Sequence, residues 1–188
     1  MKDIVFPRNN EKEFIQMATR LGYNKLIFVY DKDVADIKSE KIKIEKAVLV
    51  KPNKIGKVKG TVIVENSDKL RLTIENKKTD IIFNLENQRK DFMHHRNSGL
   101  NQVLAKLAYK NKIKIGVSLS NVLKAENMLR SQLLGRIMQN VRICRKYKVD
   151  MLLASFAHDP YEMRAPKDIM SLGVCLGMHP SDAKKALD

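Results

Sequence analysis

Seven short apolar runs, separated by polar segments, constrain the fold of this chain more than any other feature. The run Lys25–Tyr30 is the clearest of them, because it is apolar almost throughout. Such a run predicts a strand with both faces covered, as in a parallel sheet or a barrel interior. The other predicted strands are Ile4–Phe6, Lys46–Val50, Val62–Val64, Asp80–Leu85, Ile113–Leu119 and Met151–Phe156.

Amphipathic helical patterns follow several of these runs. The first predicted helix spans Glu11–Leu21, with Asn10 as its cap and Gly22 as its end. Two helices close the chain, and the second begins at Pro180. The helix Leu100–Tyr109 is predicted to bury Leu100, Val103, Leu104 and Leu107. The longest helix, Asn127–Lys148, is predicted to bury Leu129, Leu133, Ile137, Val141 and Cys144.

Strands that alternate with helices predict an α/β protein, either a barrel or a doubly wound sheet. A complete eight-fold barrel usually needs about 250 residues. With 188 residues, some crossovers must be brief, and helical patterns are scarce between Lys51 and Lys90. The segment Asp68–Asn76 fits either a strand or a short helix. The pattern predicts one domain over residues 1–188.

The charge of the chain points to a polyanionic partner. The formal net charge is +15, and residues 86–148 carry 14 Lys and Arg against 3 Asp and Glu. One third of the chain therefore holds most of the excess, which favours nucleic acid as the partner. An anionic membrane surface is the weaker alternative, since there is no basic amphipathic tail and no long apolar segment.

Other classes of protein fit the composition poorly. Cys144 and Cys175 lie far apart within apolar helical patterns and lack metal-ligand spacing, so we expect two reduced core residues and a cytoplasmic protein. The adjacent His94 and His95 have no third ligand at a useful spacing, so we expect no metal site. Aromatic residues make up only 6% of the chain. Binding is therefore expected to read the backbone and shape of a nucleic acid rather than its unstacked bases.

A polar loop after the last predicted strand is the strongest candidate site. Pro160 and Pro166 bracket a dense group of polar residues at a strand end, where α/β proteins place function. His158, Asp159 and Glu162 fit an acid–base pair, but a structural ion pair between Arg164 and one of the two carboxylates is favoured. Tyr161 fits either a base-stacking role or an anchor for its own loop.

Three stretches resemble one known family, that of the archaeal ribonuclease P protein component 3 and the eukaryotic 30-kDa ribonuclease P subunit. They are Arg96–Ala108, Asp159–Asp168 with its continuation through Gly177 into Ser181–Lys184, and Glu11–Tyr23. The resemblance implies an α/β, TIM-barrel-like fold with about seven short parallel strands and surrounding helices.

The same resemblance implies a part in removing the 5′ leader of precursor tRNA. The chemistry would belong to the catalytic RNA, which is expected to need Mg²⁺, and the protein would have no cofactor of its own. The implied partners are ribonuclease P RNA, protein component 2, the other protein subunits and, indirectly, precursor tRNA. Related barrels are metal-dependent phosphoesterases, but Ile4–Pro7 stands where their H-x-H metal motif would begin.

We therefore expect an RNA-binding subunit without catalytic residues or metal ligands of its own. The loop-structuring residues are predicted to be Asp159, Pro160, Glu162 and Pro166. Two alternatives stay open: a stand-alone phosphoesterase, and an adaptor that meets RNA only through component 2. The predicted RNA contacts are Arg89, Lys90, Arg96, Lys112, Arg145, Lys146, Arg164, Lys167 and Lys184.

Overall fold

In a computed structural model of the chain, the apolar runs form one sheet of seven parallel strands, hydrogen-bonded in chain order. The structure describes residues 1–31, 37, 39–57, 60–87 and 90–188. The strands close into a nearly complete barrel, which confirms the predicted TIM-barrel-like fold. The strands are β1 (Lys2–Val5), β2 (Lys25–Tyr30), β3 (Lys43–Leu49), β4 (Thr61–Glu65), β5 (Ile81–Phe83), β6 (Lys114–Ser118) and β7 (Met151–Ala154).

Helices cover the outside of the barrel. They are α1 (Glu11–Leu21), α2 (Leu70–Glu75), α3 (Gln102–Lys110), α4 (Leu119–Lys124), α5 (Asn127–Tyr147), α6 (Pro166–Cys175) and α7 (Pro180–Lys185). Short 3-10 turns lie at Pro52–Lys57 and Pro160–Glu162. None of the helices in the described ranges is both long and apolar enough to cross a membrane.

The structure resolves one open alternative of the sequence analysis and corrects one predicted strand end. The segment 68–76 contains the helix α2, in which Leu70 and Ile74 are buried and Leu72 is 60% exposed. The helical spacing of the two buried residues therefore prevails over the alternating pattern. Leu119 was predicted to end a strand, but it begins α4, because the Ser118 side chain accepts a hydrogen bond from the Asn121 N–H and caps that helix.

Several predicted core positions and one predicted cap are wrong. Val103 and Leu129 are 59% and 68% exposed, and Cys175 is exposed as well. On α3 the inward face is narrow and is filled by the small residues Ala105 and Ala108, so the longer side chains lie at its edges. The side chain of Asn10 does not cap α1, because it accepts the Arg8 N–H instead.

Both faces of β2 are buried, as its continuous apolar run predicted, whereas β3 is fully buried only at Ala47. In β2, Ile27 and Val29 point into the barrel, whereas Phe28 packs outward against Phe14 of α1. The carboxyl end of the barrel interior is filled by aromatic rings. Phe83 and Phe156 stack in parallel with ring centroids 4.5 Å apart. Tight packing of these rings makes the interior a core and leaves no open pore.

The seam between β1 and β7 stands where an eighth strand would close the barrel. At its carboxyl end, Val5 pairs with Ala157. At its amino end, the carbonyls of Ala186 and Leu187 accept the N–H groups of Leu153 and Lys2 at 2.9 and 2.7 Å. Between them, the buried Asp3 carboxylate accepts the Ser155 N–H at 2.6 Å. The last residues of the chain thus complete the closure of the barrel.

Candidate nucleic-acid interface

Because the strands are parallel, their amino ends lie at one edge of the barrel and their carboxyl ends at the other. We call these the start edge and the end edge. The predicted RNA contacts divide between the two edges. Lys112, Arg145, Lys146 and Lys184 lie on segments that precede strands or pack at their starts, whereas Lys90, Arg96, Arg164 and Lys167 lie on segments that follow strands. Arg89 lies outside the described residues. A five-residue strand spans roughly 16 Å, so the two groups form separate surfaces.

All eight predicted contacts that the structure describes are exposed. Among the described residues, none of the eight has a carboxylate within ion-pair distance. Their charges are therefore not neutralised by ion pairs within the described part of the protein. This is the condition that phosphate binding requires of a basic side chain.

The end edge contains the bracketed polar loop, whose carboxylates are engaged within the protein. Asp159 accepts the N–H of Tyr161 at 2.8 Å and caps the 3-10 turn, which begins at the buried Pro160. Glu162 accepts the His158 N–H at 3.0 Å and binds the ammonium group of Lys124 at 2.6 Å. Pro166 is buried at the first position of α6. These contacts are those that loop-structuring residues would make.

The electrostatics of the loop favour an ionised Glu162. Burial opposes ionisation, but the hydrogen bonds from Lys124 and the His158 N–H hold the pKa of Glu162 below its ordinary value. The pKa of His158 is also lowered, first by burial and then by the positive charges of Lys124 and Arg8. The His158 ring stacks on Phe6 with centroids 4.6 Å apart.

Arg164 does not form the predicted ion pair. Its guanidinium donates to the carbonyl oxygens of Tyr161 and Met163 at 2.8 and 2.7 Å, whereas Glu162 binds Lys124. The carbonyl of Arg164 accepts the Tyr23 hydroxyl at 2.8 Å, which ties the loop to the end of α1. Arg164 is therefore held in place by its own backbone surroundings, and its positive charge is left without a carboxylate partner among the described residues.

Tyr161 does not anchor its own loop, because its side chain is 80% exposed. The other interpretation, stacking on a nucleic-acid base, stays a prediction. The His158–Glu162 arrangement offers little for acid–base chemistry, since Glu162 contacts the backbone of His158 and not its ring. The small cavity beside it, about 150 Å³, is lined by the rings of Phe6, Phe83 and Phe156. Polar residues, among them His158 and Lys124, complete the lining.

A second structured loop on the end edge connects β5 to α3. We call its described part, residues 84–87 and 90–101, the β5–α3 loop. The buried Arg136 of α5 donates to the Asp91 carboxylate at 2.7 Å and to the Glu86 carbonyl at 3.3 Å. The pKa of Asp91 is lowered, and the hydrogen bond from Arg136 is the largest cause. Asn140, one turn further along α5, donates to the Ser98 carbonyl at 3.0 Å.

The guanidinium of Arg96, in this loop, lies against α5 at Gly135. A Cβ atom at Gly135 would stand 2.4 Å from the Arg96 Nε, so only glycine permits this approach without displacing the guanidinium. The neighbouring His95 stacks its ring on Phe92 with centroids 4.6 Å apart. Sequence reasoning missed this ring pair, because nothing in the sequence shows that the loop turns between residues 92 and 95.

The start edge carries the other basic group. Lys112 lies two residues before β6 and has a positive φ of 57°, while Arg145 and Lys146 lie in the last turn of α5. A cavity of about 320 Å³ separates the end of α5 from α7. Its charged lining residues are Lys114, Arg145, Lys148, Lys185, Asp150 and Asp182. Asp150 binds Lys185 at 3.2 Å, so one positive charge of this edge is compensated within the protein.

Comparison with known proteins identifies a family that the sequence matches. Residues 61–188 match the family described as RNase P subunit p30. Ribonuclease P protein component 3 of Methanosarcina barkeri is 28% identical over 197 residues, covering 95% of this chain and 80% of that protein. The protein of the same name from Methanosarcina acetivorans is 36% identical over 107 residues, covering 55% of this chain and 45% of that protein. This chain thus matches less than half of that relative's length.

The fold is similar to that of a chain in a cryo-EM structure of archaeal Ribonuclease P with mature tRNA. The TM-score is 0.83 at 22% identity, and the alignment covers 99% of this chain and 86% of the other. At that identity the likeness shows a shared fold. The family match is independent of it and spans about two thirds of the sequence. The chain therefore belongs to the RNase P subunit p30 family.

Proposed function

We propose that this chain is an RNA-binding, non-catalytic subunit of ribonuclease P that supports the catalytic RNA in removing the 5′ leader of precursor tRNA. The observation that carries the proposal is the set of eight exposed basic side chains without carboxylate partners in the described part of the chain. Membership in the RNase P subunit p30 family supports this role rather than a stand-alone phosphoesterase.

The partners follow from the same role. They would be ribonuclease P RNA, protein component 2, the other protein subunits and, indirectly, precursor tRNA in the cytoplasm. The Mg²⁺ needed for cleavage would be bound by the RNA. Two separate basic edges are well suited to a scaffold, because one protein could then contact two RNA segments, or one RNA segment and one protein.

Electrostatics makes this proposal quantitative. Each phosphate neutralised contributes about 0.9 to the slope of log K against log salt on B-DNA and about 0.7 on a single strand. Removal of four contacting cations should therefore lower that slope by roughly 3 to 4. Two variants remove four charges each: Lys112, Arg145, Lys146 and Lys184 to Ala at the start edge, and Lys90, Arg96, Arg164 and Lys167 to Ala at the end edge.

We expect the end-edge variant to bind ribonuclease P RNA more weakly than the start-edge variant does. Arg96 and Arg164 are already held by contacts with the protein, so they lose less conformational freedom on binding. Fluorescence anisotropy over a salt series measures both slopes. A single-site control removes the exposed Arg20 of α1, which is not among the predicted contacts and should leave the slope unchanged. Unchanged slopes in both four-site variants would contradict direct RNA binding and favour an adaptor.

Crosslinking addresses the adaptor directly. If the isolated protein crosslinks to ribonuclease P RNA without component 2, it contacts RNA itself. If crosslinks form only when component 2 is present, the chain reaches RNA through its partner, and the proposal is wrong on this point.

A further inference from the structure

We propose that the tip of the β5–α3 loop, residues 92–95, and the cavity beneath it bind one unstacked base of the RNA. This inference rests on the proposed function and deepens it, because it names the kind of RNA element that the end edge holds. It also revises the expectation, drawn from the low aromatic content, that binding would read backbone and shape alone.

The first observation is an exposed aromatic platform. Phe92 is 56% exposed, although a large apolar ring gains stability from burial. Its ring stacks on His95 at an interplanar angle of 27°, and its N–H donates to the His95 carbonyl at 2.9 Å. One ring therefore supports the other, and a planar base can add to the pair. Stacking of this kind tolerates any base, because every base has a π-face.

The second observation is that hydrogen bonds hold the loop residues next to Phe92 and His95 in place. Asp91, the residue before Phe92, accepts hydrogen bonds from the buried Arg136 at 2.7 Å and from the Asn97 N–H at 2.9 Å. Both ends of the tip are thus held by one carboxylate. A loop that is ordered before binding loses little entropy when it captures a ligand.

The third observation is the cavity that Phe92 and His95 line. It measures about 820 Å³, within the range of roughly 300 to 1,000 Å³ that is usual for small-molecule sites. Six of its lining residues carry amides, and amides both donate to and accept from the edges of bases. Some already form hydrogen bonds within the protein: Asn84 donates to Glu65 and accepts from Asn121, and Asn101 caps α3. The lining amides are Asn66, Asn84, Asn87, Asn97, Asn101 and Gln139.

Charge and polarity favour RNA over a protein at this site. Arg96 lines the cavity, and Lys90 is exposed in the same loop, so the loop offers cations to a phosphate next to the base. The carboxylates of Glu65 and Asp68 lie on the wall and can accept N–H donors of a base. An apolar protein segment would leave these polar groups without partners.

A tryptophan reporter tests the stacking directly. The chain contains no Trp, so Phe92→Trp creates the only indole of the protein, at the tip of the loop. Tyr109→Trp on α3 is the matched control, because Tyr109 is 57% exposed against 56% for Phe92. The probes are a short oligouridine and an abasic ribose-phosphate chain of equal length. We expect oligouridine to quench the emission of Phe92→Trp, and neither probe to quench that of Tyr109→Trp.

Affinity provides the second readout. Phe92→Ala should bind oligouridine about tenfold more weakly and bind the abasic chain as the unmodified protein does, with an unchanged salt slope. Phe92→Leu keeps apolar area without an aromatic face and should lose affinity as Phe92→Ala does. Full affinity of Phe92→Leu, or equal quenching by both probes, would overturn the inference.

The outcomes separate this inference from the proposed function. If the unmodified protein binds RNA with a steep salt dependence but Phe92→Trp emission does not change, only the base site is wrong. If the unmodified protein binds neither oligouridine nor ribonuclease P RNA, both the base site and the direct RNA-binding role are wrong.

Discussion

Asp3 offers a sharp test of how this seven-stranded barrel closes. Its carboxylate lies fully buried in the seam between β1 and β7. One oxygen accepts the N–H groups of Ser155 and Ile4, and the other has no hydrogen-bond partner among the described residues. The perturbation is Asp3→Asn, which keeps the shape of the side chain and an acceptor oxygen but removes the titration.

The magnitude follows from the pKa of Asp3. Burial raises it from 3.8 to about 6, although the Ser155 and Ile4 donors favour the ionised form. The folded chain therefore holds this proton more tightly than the unfolded chain does. The stabilisation is fully present below pH 3.8 and is lost as the pH rises through about 6. At about 1.4 kcal/mol per pKa unit, the total is roughly 3 kcal/mol, of which about 2 falls between pH 4.5 and 7.5.

Urea unfolding at a series of pH values measures this difference. The lowered pKa values of Glu45, Asp91 and Glu162 change stability in the opposite direction, so the free energy of unfolding of Asp3→Asn must be subtracted from that of the unmodified protein. We expect the variant to gain about 2 kcal/mol relative to the unmodified protein from pH 4.5 to 7.5. A difference that is constant with pH would refute the assignment of a buried, proton-binding Asp3.

Two further predictions concern packing and the β5–α3 loop. Gly116→Ala should destabilise the barrel by about 1 to 3 kcal/mol, because the new Cβ would stand 3.0 Å from Phe83 Cβ and 3.1 Å from the ring of Phe156; an unchanged Tm would show that the stacked rings can move aside. Asp91→Leu should cost about 2 kcal/mol by leaving the buried Arg136 without its carboxylate, and the double variant with Arg136→Met should recover part of the loss. Equal unfolding free energies of the single and double variants would contradict that account of the pair.

The strands could be predicted from sequence because a continuous apolar run is a local signal. The seven predicted runs coincide with the seven described strands, with bounds that differ by a few residues. The helical alternative for segment 68–76 was confirmed for a similar reason, since Leu70 and Ile74 show the spacing of one helical face. The inward faces were less predictable. Leu129 fits the pattern of α5 but lies in its first turn, where 68% of its surface is exposed.

The closure of the barrel could not be predicted, because its contacts join distant parts of the chain. The partner of Asp3 is the backbone of Ser155, 152 residues away. The same limit explains the wrong ion pair in the polar loop. Glu162 lies beside Arg164 in sequence, yet it binds Lys124, which α4 brings to the end edge. The short sequence separation favoured Arg164 as the partner of Glu162, whereas the fold brings Lys124 to it.

Omission of this protein from a reconstituted ribonuclease P tests the proposed role most directly. The catalytic RNA and the remaining protein subunits are assembled with and without the chain, and the removal of the 5′ leader from precursor tRNA is followed at a fixed Mg²⁺ concentration. We predict that cleavage is lost without the chain and restored by adding it. Restoration should be weaker with the end-edge variant. Equal cleavage rates with and without the chain would contradict its role as a supporting subunit.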